Sequence, residues 1–408
     1  MSKNKLGLFS IFVILFSLIL YFQNWLINVS KPFGYADEFI AIILFLYFIL
    51  ILKKIKKNTF YIISLMIFII IGALSFNYKY KIQNHSIAII EDIIGNFKFI
   101  FIFIGLQEFM KNNSIKTNFI LKKILFFIKI YTFLLFMLCI ANIFININMS
   151  NEYRYGLRSF SFIYGTAGHL INQMTYNLVL LSADKELNKS NNKFWTILSL
   201  IVMISTLKTR AFILCLVYIM LSYFFILRKR KKIGLEIGMI VVLVALTGYS
   251  QFEHYFLNEG TPRQMFVSGA ISITKEYFPF GTGFATYGSS AAAEYYSKLY
   301  YKLGFSDRWG MSPTASYYLN DNYLPMILGQ FGILLSIVFF ILLYMVIKKI
   351  ITDEKVSNSK NIKVITYFLI ADIIFSSVQS SYLAHYSVVT ILSFFTLFFY
   401  KNKIMEEN

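Results

Sequence analysis

The sequence predicts an all-α, polytopic membrane protein with about 12 transmembrane helices and a large outer loop between helices 9 and 10. Of the 408 residues, 57% are hydrophobic and only 14% are charged. Apolar runs of roughly 20 residues, the length that a helix needs to cross a bilayer, recur along the whole chain. This composition excludes a soluble globular protein.

Hydropathy places these helices in order along the chain. The predicted spans are residues 7–29, 38–52, 59–77, 87–108, 124–146, 161–182, 194–207, 211–227, 233–250, 323–347, 364–380 and 385–400. The second, seventh and last are short for a bilayer, so we expect them to tilt or to extend into their flanks. The first run is longer than the apolar core of a signal peptide and lacks a small-residue cleavage site, which predicts a retained span.

The basic residues predict the orientation of the spans. The net charge is +19, but most Lys and Arg stand in short clusters between apolar runs, which is typical of topology signals and not of nucleic-acid binding. With the N-terminus inside, about 25 Lys and Arg face the cytoplasm and about 12 face outward. Both termini are then cytoplasmic. The chain divides into nine helices (1–250), an extracytoplasmic loop (251–322), and three helices with a short cytoplasmic tail (323–408).

The sequence predicts no metal, cofactor or disulfide. Cys139 and Cys215 both fall within apolar runs, where neither a disulfide framework nor a thiol metal site is indicated. The G-T-G of the outer loop is not a nucleotide fingerprint, because no strand precedes it and the following helix and acidic residue are missing.

Arginine follows a different pattern from lysine. Of the seven arginines, five fall on the predicted outer side: Arg154, Arg158, Arg210, Arg263 and Arg308. A guanidinium binds phosphate or carboxylate through two parallel hydrogen bonds, which an ammonium cannot do. Contact with lipid headgroups, or pairing with Glu152 and Glu259, is the alternative interpretation. Because the five arginines oppose the positive-inside tendency, we expect an anionic ligand on the outer face.

Arg210 lies in the short connection STLKTRAF (205–212), so its side chain is expected at or just below the outer surface. An unpaired guanidinium would be costly there, and a lipid-linked phosphate would satisfy it. The outer loop then offers an amphipathic helix over 258–278, lying along the membrane surface. Thr261 and Pro262 suit its start, and Arg263 falls in its first turn. The apolar positions of this helix are Met265, Phe266, Ala270, Ile273 and Tyr277.

The rest of the outer loop is rich in glycine and tyrosine. Gly281 and Gly283 in PFGTGFATYGS allow the backbone to approach a ligand or neighbouring helices closely. Tyrosines such as Tyr287 and Tyr300 suit sugar binding, although an interfacial aromatic belt is the alternative. Asp321 stands where the loop enters span ten, as a helix cap or, together with the arginines, as a catalytic group.

These stretches together resemble the O-antigen polymerase and ligase superfamily, which includes the Wzy-type polymerases of bacterial capsule and exopolysaccharide. The resemblance rests on STLKTRAF, on R-Q-M-F followed by F-P-F-G-T-G-F, and on D-N-Y-L followed by G-Q-F-G-I. An R-x10-G pattern also runs from Arg154 to Gly165. The match covers roughly residues 150–340. His169, in GTAGHLINQ, lies near a family segment whose proline is missing here, and is not predicted to be a site residue.

The resemblance implies polymerisation of polyprenyl-pyrophosphate-linked oligosaccharides into capsule, O-antigen or exopolysaccharide on the outer face of the bacterial plasma membrane. Arg210 and Arg263 would hold the donor pyrophosphate. Asp321 would either activate the acceptor hydroxyl or orient Arg263; the related ligases carry histidine there. The expected partners are membrane lipids, a chain-length regulator and a flippase. Further substrate-binding residues are predicted at Arg154, Arg158, Gly281, Gly283, Tyr287, Tyr300, Arg308 and Asn322.

Two other functions are compatible with the sequence. A lipid-linked oligosaccharide flippase or transporter could use the charges inside predicted helices, which are Glu91, Asp92, Lys98 and Asp372. A metal-dependent glycosyltransferase acting on lipid-linked sugars could use Asp37 and Glu38 in the first outer loop. Mutation of the acids compared with mutation of the arginines, and sensitivity to chelators, would discriminate between them.

Overall fold

The chain folds as a bundle of α-helices in which the described residues contain one small β-hairpin. The computed structural model describes residues 8–50, 57–112, 117–150, 152–228, 260–353 and 358–399, with 238, 242, 249, 253, 257, 258 and 356 between them. The elements are α1 (Leu8–Tyr21), α2 (Gln23–Val29), α3 (Ala36–Leu50), α4 (Lys57–Tyr80), α5 (Ser86–Asn112), α6 (Thr117–Phe144), β1 (Tyr153–Arg154), β2 (Leu157–Arg158), α7 (Ala167–Asn188), α8 (Lys193–Ile204), α9 (Thr209–Ser222), α10 (Pro262–Glu276), α11 (Ser290–Glu294), α12 (Lys298–Lys302), α13 (Tyr323–Ile351), α14 (Lys360–Ser377) and α15 (Tyr386–Phe399).

The all-α prediction is confirmed, and the membrane character is supported by helix length and composition. Within the described residues, five helices are long and apolar enough to cross a membrane, or up to six if α1 and α2 form one bent span. At 12 residues, α8 is roughly 18 Å long, shorter than the hydrocarbon core of a bilayer. The predicted ninth span, 233–250, lies almost entirely outside the described residues.

The predicted first span is broken, which corrects the expectation of one continuous helix over 7–29. The axes of the two helices meet at 80° where α1 ends and α2 begins. Gln23, the first residue of α2, is fully buried, and its amide donates to the Asp37 carboxylate (2.7 Å) and to the Phe33 and Gly34 carbonyls. These bonds hold α2 against the start of α3, and they explain why the chain turns.

Glycines allow several helix pairs to approach closely. A Cβ at Gly105 of α5 would lie 2.7 Å from the Leu44 Cβ and 2.9 Å from the Leu44 carbonyl oxygen of α3. At Gly72 of α4, a Cβ would lie 2.9 Å from the Leu335 side chain of α13. Small residues at such crossings strengthen van der Waals packing, which is the main attraction between helices in lipid.

The segment 260–322 packs as a small unit over one end of the bundle, which we call the loop end. Its helix α10 confirms the predicted helix, and Thr261 and Pro262 start it as expected. The apolar face of α10 does not lie open to lipid. Phe266, Ala270 and Ile273 are buried in a separate small core with residues of α11 and α12, and α10 also packs against α13.

A kink in α13 joins this segment to the bundle. Gly332 has φ +64° and ψ −168°, which interrupts the helix, and it forms an isolated antiparallel bridge with Phe280. Two carbonyls upstream of the kink accept from the segment: Gly329 from the Thr282 N–H (3.2 Å) and Gln330 from the Gly283 N–H (2.9 Å). Backbone groups left open by a kink need partners of this kind, particularly away from water.

Candidate functional site

A buried polar cluster at the loop end is centred on Arg210, the second residue of α9. The residue is 6% exposed, and its Nη2 donates to the Asp372 carboxylate of α14 (2.8 Å) and to the Asn172 side-chain oxygen of α7 (2.7 Å). The Nε of Arg210 is buried and has no partner among the described residues. The sequence predicted Arg210 near the surface with a lipid phosphate as its partner, whereas the structure pairs its Nη2 with Asp372 and Asn172.

Asp372 is itself tightly held. Its Oδ2 accepts from the Tyr382 hydroxyl (2.6 Å), and its Oδ1 accepts from Ser376 (3.1 Å) as well as from Arg210. The Arg210 guanidinium also lies 5.3 Å from the centre of the Tyr382 ring. Asp372 therefore serves as the counter-ion of Arg210. The sequence had offered it as a candidate residue of a transport path.

A chain of hydrogen bonds leads from Arg210 to His385. Arginine can only donate, so Asn172 must present its oxygen to Arg210 and its amide to Ser387 (2.8 Å). The Ser387 hydroxyl contacts the Nδ1 of His385 (2.9 Å), and the Ser387 backbone N–H donates to the same nitrogen (3.3 Å). Since Nδ1 accepts, the network assigns the proton of neutral His385 to Nε2. His385 thus has an N–H that it can offer to a ligand.

A second histidine lies beside the first. The rings of His169 and His385 have centroids 6.2 Å apart, and the Nδ1 of His169 is 2.8 Å from the Tyr386 hydroxyl. Both histidines are half-buried. His169 was not predicted to be a site residue, and His385 was not singled out at all.

A buried ammonium completes the cluster. Lys98 of α5 lies roughly 18 Å from the start of its helix, and its Nζ contacts the carboxylates of Asp37 (2.5 Å) and Glu38 (2.6 Å). The charges of Lys98 and Arg210 both act on the His385 ring, so we describe the two groups together. A buried ammonium this far from the ends of its helix is a candidate functional group.

An apolar groove of about 500 Å³ adjoins this polar cluster. It runs between α1, α2, α6 and the stretch before α7, and its walls include Leu15, Phe22, Trp25 and Phe162. Tyr164, which also lines the groove, has its ring centre 6.4 Å from that of His169. The groove therefore approaches the histidines of the cluster at Tyr164.

The predicted pair Arg263 and Asp321 lies in the 260–322 segment, near the connection that carries Tyr382. The Arg263 Nη2 is 3.9 Å from the Asp321 Oδ2, and both side chains are partly buried, at 17% and 30% exposure. Burial raises the pKa of Asp321 to about 6, against the opposing effect of the Arg263 charge. The Asn320 carbonyl, next to Asp321 in the chain, accepts from the Ser381 N–H (3.0 Å). This bond connects the Asp321 region to the short connection that carries Tyr382.

The three other predicted arginines lie on the surface of the loop end. Arg154, in the β-hairpin, pairs with Glu152 (2.6 Å), as the alternative interpretation expected. Arg158 donates to the Tyr153 hydroxyl (2.9 Å). Arg308 is exposed in the 260–322 segment. The structure does not bring these residues into contact with Arg210.

The predicted glycine and tyrosine residues are buried in packing positions. A Cβ at Gly281 would lie 2.1 Å from the Gln330 carbonyl oxygen, and one at Gly283 would lie 2.4 Å from the Asn77 side chain. Tyr287 and Tyr300 are fully buried, where the Tyr287 hydroxyl donates to the Phe266 carbonyl (2.6 Å) and the Tyr300 hydroxyl accepts from the Gly288 N–H (2.9 Å). These contacts favour the second of the two interpretations of the glycines, close approach to neighbouring helices.

Asn322, the last of the predicted site residues, is buried at the N-cap of α13, although its side chain makes no cap hydrogen bond.

Neither His385 nor the contact of Lys98 with Asp37 and Glu38 was predicted from the sequence. The available signal was local: SSYLAHYS (380–387) places polar residues in a short connection between two apolar runs. The contacts themselves, such as Lys98 with Asp37, join residues 61 positions apart and have no sequence signature.

Comparison with protein-family models, with curated proteins and with solved structures found no match to this chain. The family resemblance of the motifs therefore stays a prediction.

Proposed function

We propose that the chain is a glycosyltransferase that polymerises polyprenyl-pyrophosphate-linked oligosaccharide repeat units at the outer face of a bacterial plasma membrane. The observation that carries this proposal is that the apolar groove ends at Tyr164, beside the histidines of the buried polar cluster. The proposal includes the finer topology expected from the sequence: 12 spans, the 251–322 loop outside, and both termini in the cytoplasm.

The apolar groove suits the isoprenoid chain of the donor. Its walls are mainly aromatic and aliphatic, and it opens towards the side of the bundle where α1 exposes Leu15. A lipid chain lying there would bring its diphosphate to the Tyr164 end, beside the histidines. An amphiphile with an apolar tail and an anionic head would match the apolar groove followed by the polar cluster.

The diphosphate would be held by donors that the protein leaves available. Arg210 has a buried Nε without a partner among the described residues, and His385 presents its Nε2–H. Arg263 would contact the same head from the 260–322 segment. Donors fixed in position before the reaction stabilise the charge that grows on a departing diphosphate.

The reaction would exchange one bond at the donor sugar. The acceptor hydroxyl oxygen bonds to the anomeric carbon of the growing chain, the bond from that carbon to the phosphate oxygen breaks, and polyprenyl diphosphate leaves with the electron pair. The hydroxyl proton passes to Asp321, whose pKa of about 6 leaves it ionised at neutral pH yet basic enough to accept a proton.

The geometry gives less support to the two alternative functions. The Lys98 ammonium lies between Asp37 and Glu38, in the space that a divalent ion would need to bridge these carboxylates. The charge proposed for a transport path at Asp372 is bound by Arg210, Tyr382 and Ser376. We therefore propose neither a metal-dependent transferase nor a transporter.

Complementation of cells that lack the gene tests the polymerase. Arg263→Ala and Asp321→Asn should each accumulate single lipid-linked repeat units and lose the long polymer ladder, because they remove a donor contact and the proposed base. Lys275→Ala, an exposed change on the same helix as Arg263, is the matched control and should keep the ladder. All three chains should be present in membranes at similar levels. A normal ladder in both site variants would contradict the proposal.

A further inference from the structure

A cavity of about 740 Å³ opens at the end of the bundle opposite to the loop end. It lies between the last turns of α7 and α9 and the first turns of α8 and α14. Arg210 and His169 lie in the first turns of α9 and α7, so the cavity is separated from the candidate site by nearly the full length of these helices. Nothing in the proposed polymerase reaction uses it.

The walls of the cavity are mainly apolar on the side that faces outward from the bundle. Ile197, Ile219 and Leu227 line it and are 55%, 54% and 71% exposed. In a membrane, such side chains contact acyl chains. The helix α9 continues here as a π-helix over Tyr223–Leu227, a local widening that is often found at functional positions.

The mouth of the cavity carries three lysines, Lys185, Lys189 and Lys193. All three are exposed, and the described residues show no ion pair for any of their side chains. The nearby carboxylates of Asp184 and Glu186 make hydrogen bonds to other residues. Asp184 accepts from Asn188 (2.7 Å), from Asn192 (2.8 Å) and from Ser190 and lies 3.9 Å from Lys129, while Glu186 accepts from Asn361 (3.1 Å).

We propose that this cavity binds an anionic glycerophospholipid, with its headgroup at the three lysines and an acyl chain along Ile219 and Leu227. A phosphate group matches unpaired ammonium groups, and an acyl chain matches the apolar wall, so a single amphiphile satisfies both surfaces. By the predicted orientation, this end of the bundle faces the inner leaflet. The inference does not depend on the polymerase activity.

Titration of the detergent-solubilised full chain with fluorescent phosphatidylglycerol tests the site. The triple variant Lys185→Gln, Lys189→Gln, Lys193→Gln should bind this lipid at least tenfold more weakly, since each lysine near an anionic headgroup is worth roughly fivefold in affinity. Ser222→Trp keeps the lysines and fills the cavity, and it should weaken binding to a similar extent. Phosphatidylcholine should bind the wild type more weakly than phosphatidylglycerol does.

The matched control is Lys122→Gln, Lys123→Gln, Lys348→Gln, which removes the same charge from exposed lysines outside the cavity. It should bind phosphatidylglycerol as the wild type does. Equal losses in the two triple variants would overturn the site, because only net charge would then matter. Normal binding by Ser222→Trp would show that the cavity is not used. Competition by millimolar inorganic phosphate would show that the lysines bind a free anion and not a lipid.

Discussion

At the scale of single residues, Arg210 shows how the protein keeps a guanidinium charged inside an apolar bundle. Three helices contribute to its surroundings: α9 carries it, α7 supplies Asn172, and α14 supplies Asp372. A buried ion pair gains little over apolar packing, but removal of one partner leaves an uncompensated charge. In the proposed reaction, the Arg210 charge would bind the diphosphate of the donor.

The Arg210 and Asp372 pair should behave as one unit in stability measurements. Arg210→Met or Asp372→Leu alone should each lower the free energy of unfolding by about 3 kcal/mol or more, because each strands a buried charge. The double variant should lose less than the sum of the two. Thermal or chemical unfolding in detergent micelles measures this. Lys302→Ala, which removes an exposed partner of Glu276, is the control and should change stability little. Additive losses from the two buried changes would contradict the coupling.

Asp321 should make stability depend on pH. Burial raises its pKa from 3.8 to about 6 despite the Arg263 charge, so the folded chain binds more protons than the unfolded chain within this window. The stability of the wild type relative to Asp321→Asn should therefore fall as pH rises from about 4 to 6. In an Arg263→Gln background the upper limit of this window should move to higher pH. Melting temperatures at several pH values measure both effects. If the difference in melting temperature between the wild type and Asp321→Asn does not change with pH, the raised pKa of Asp321 is contradicted.

Residue chemistry could be predicted from the sequence only in part. Arginine stood out because it opposes the usual charge bias, and the structure places all five predicted outer arginines at the loop end. Their partners could not be predicted, because the contact of Arg210 with Asp372 spans 162 positions. His385 carried no motif, and its role in the network depends on Asn172 and Ser387 from two different helices.

At the scale of elements, the glycine-rich stretch 280–288 is buried between helices of the bundle. Thr282, Phe284 and Tyr287 are fully buried. The side-chain amide of Asn77 in α4 makes two hydrogen bonds to the Phe284 backbone. Its NH2 group donates to the Phe284 carbonyl (2.8 Å), and its oxygen accepts from the Phe284 N–H (2.7 Å). Asp92, buried in α5, accepts from the Ala285 N–H (2.5 Å). The stretch thus fastens the 260–322 segment to α4, α5 and α13.

Substitution of glycine in this stretch should prevent the segment from docking. In Gly283→Ala the new Cβ would lie 2.4 Å from the Asn77 side chain and 2.8 Å from its backbone nitrogen, at φ +94°. We expect a strong loss of folded protein in membranes. Gly304→Ala has the same kind of positive φ, +69°, but meets nothing within 4 Å, so it should cost only about 1 kcal/mol. The amount of monodisperse protein after extraction compares the two, and similar amounts would contradict the packing role.

Most elements could be predicted from hydropathy because an apolar run long enough for a membrane leaves few other conformations to the backbone. The predicted helices at 59–77, 87–108 and 124–146 correspond to α4, α5 and α6 within a few residues at most ends. The break after α1 and the kink at Gly332 could not be predicted in this way, since tertiary hydrogen bonds accompany both, from Gln23 to Asp37 and from Gly283 to Gln330.

At the scale of the whole molecule, the bundle has two chemically different ends. The loop end holds the paired buried charges, the histidines and the apolar groove, and the 260–322 segment packs over it. The opposite end carries exposed lysines around a cavity. Charge bias in the sequence predicted this polarity, because lysine clusters and arginines fall at alternate connections between apolar runs. Charge bias could not predict that six helices meet at the candidate functional site, because this arrangement depends on the tertiary fold.

The most direct test of the account is polymerisation by the purified chain. Cells that lack the gene should supply the unpolymerised, lipid-linked repeat unit for reconstitution with the protein in vesicles. We expect products of two or more repeat units, one released polyprenyl diphosphate for each new glycosidic bond, and the loss of both in Arg263→Ala. Recovery of the repeat unit unchanged, whether or not it has crossed the bilayer, would contradict the account.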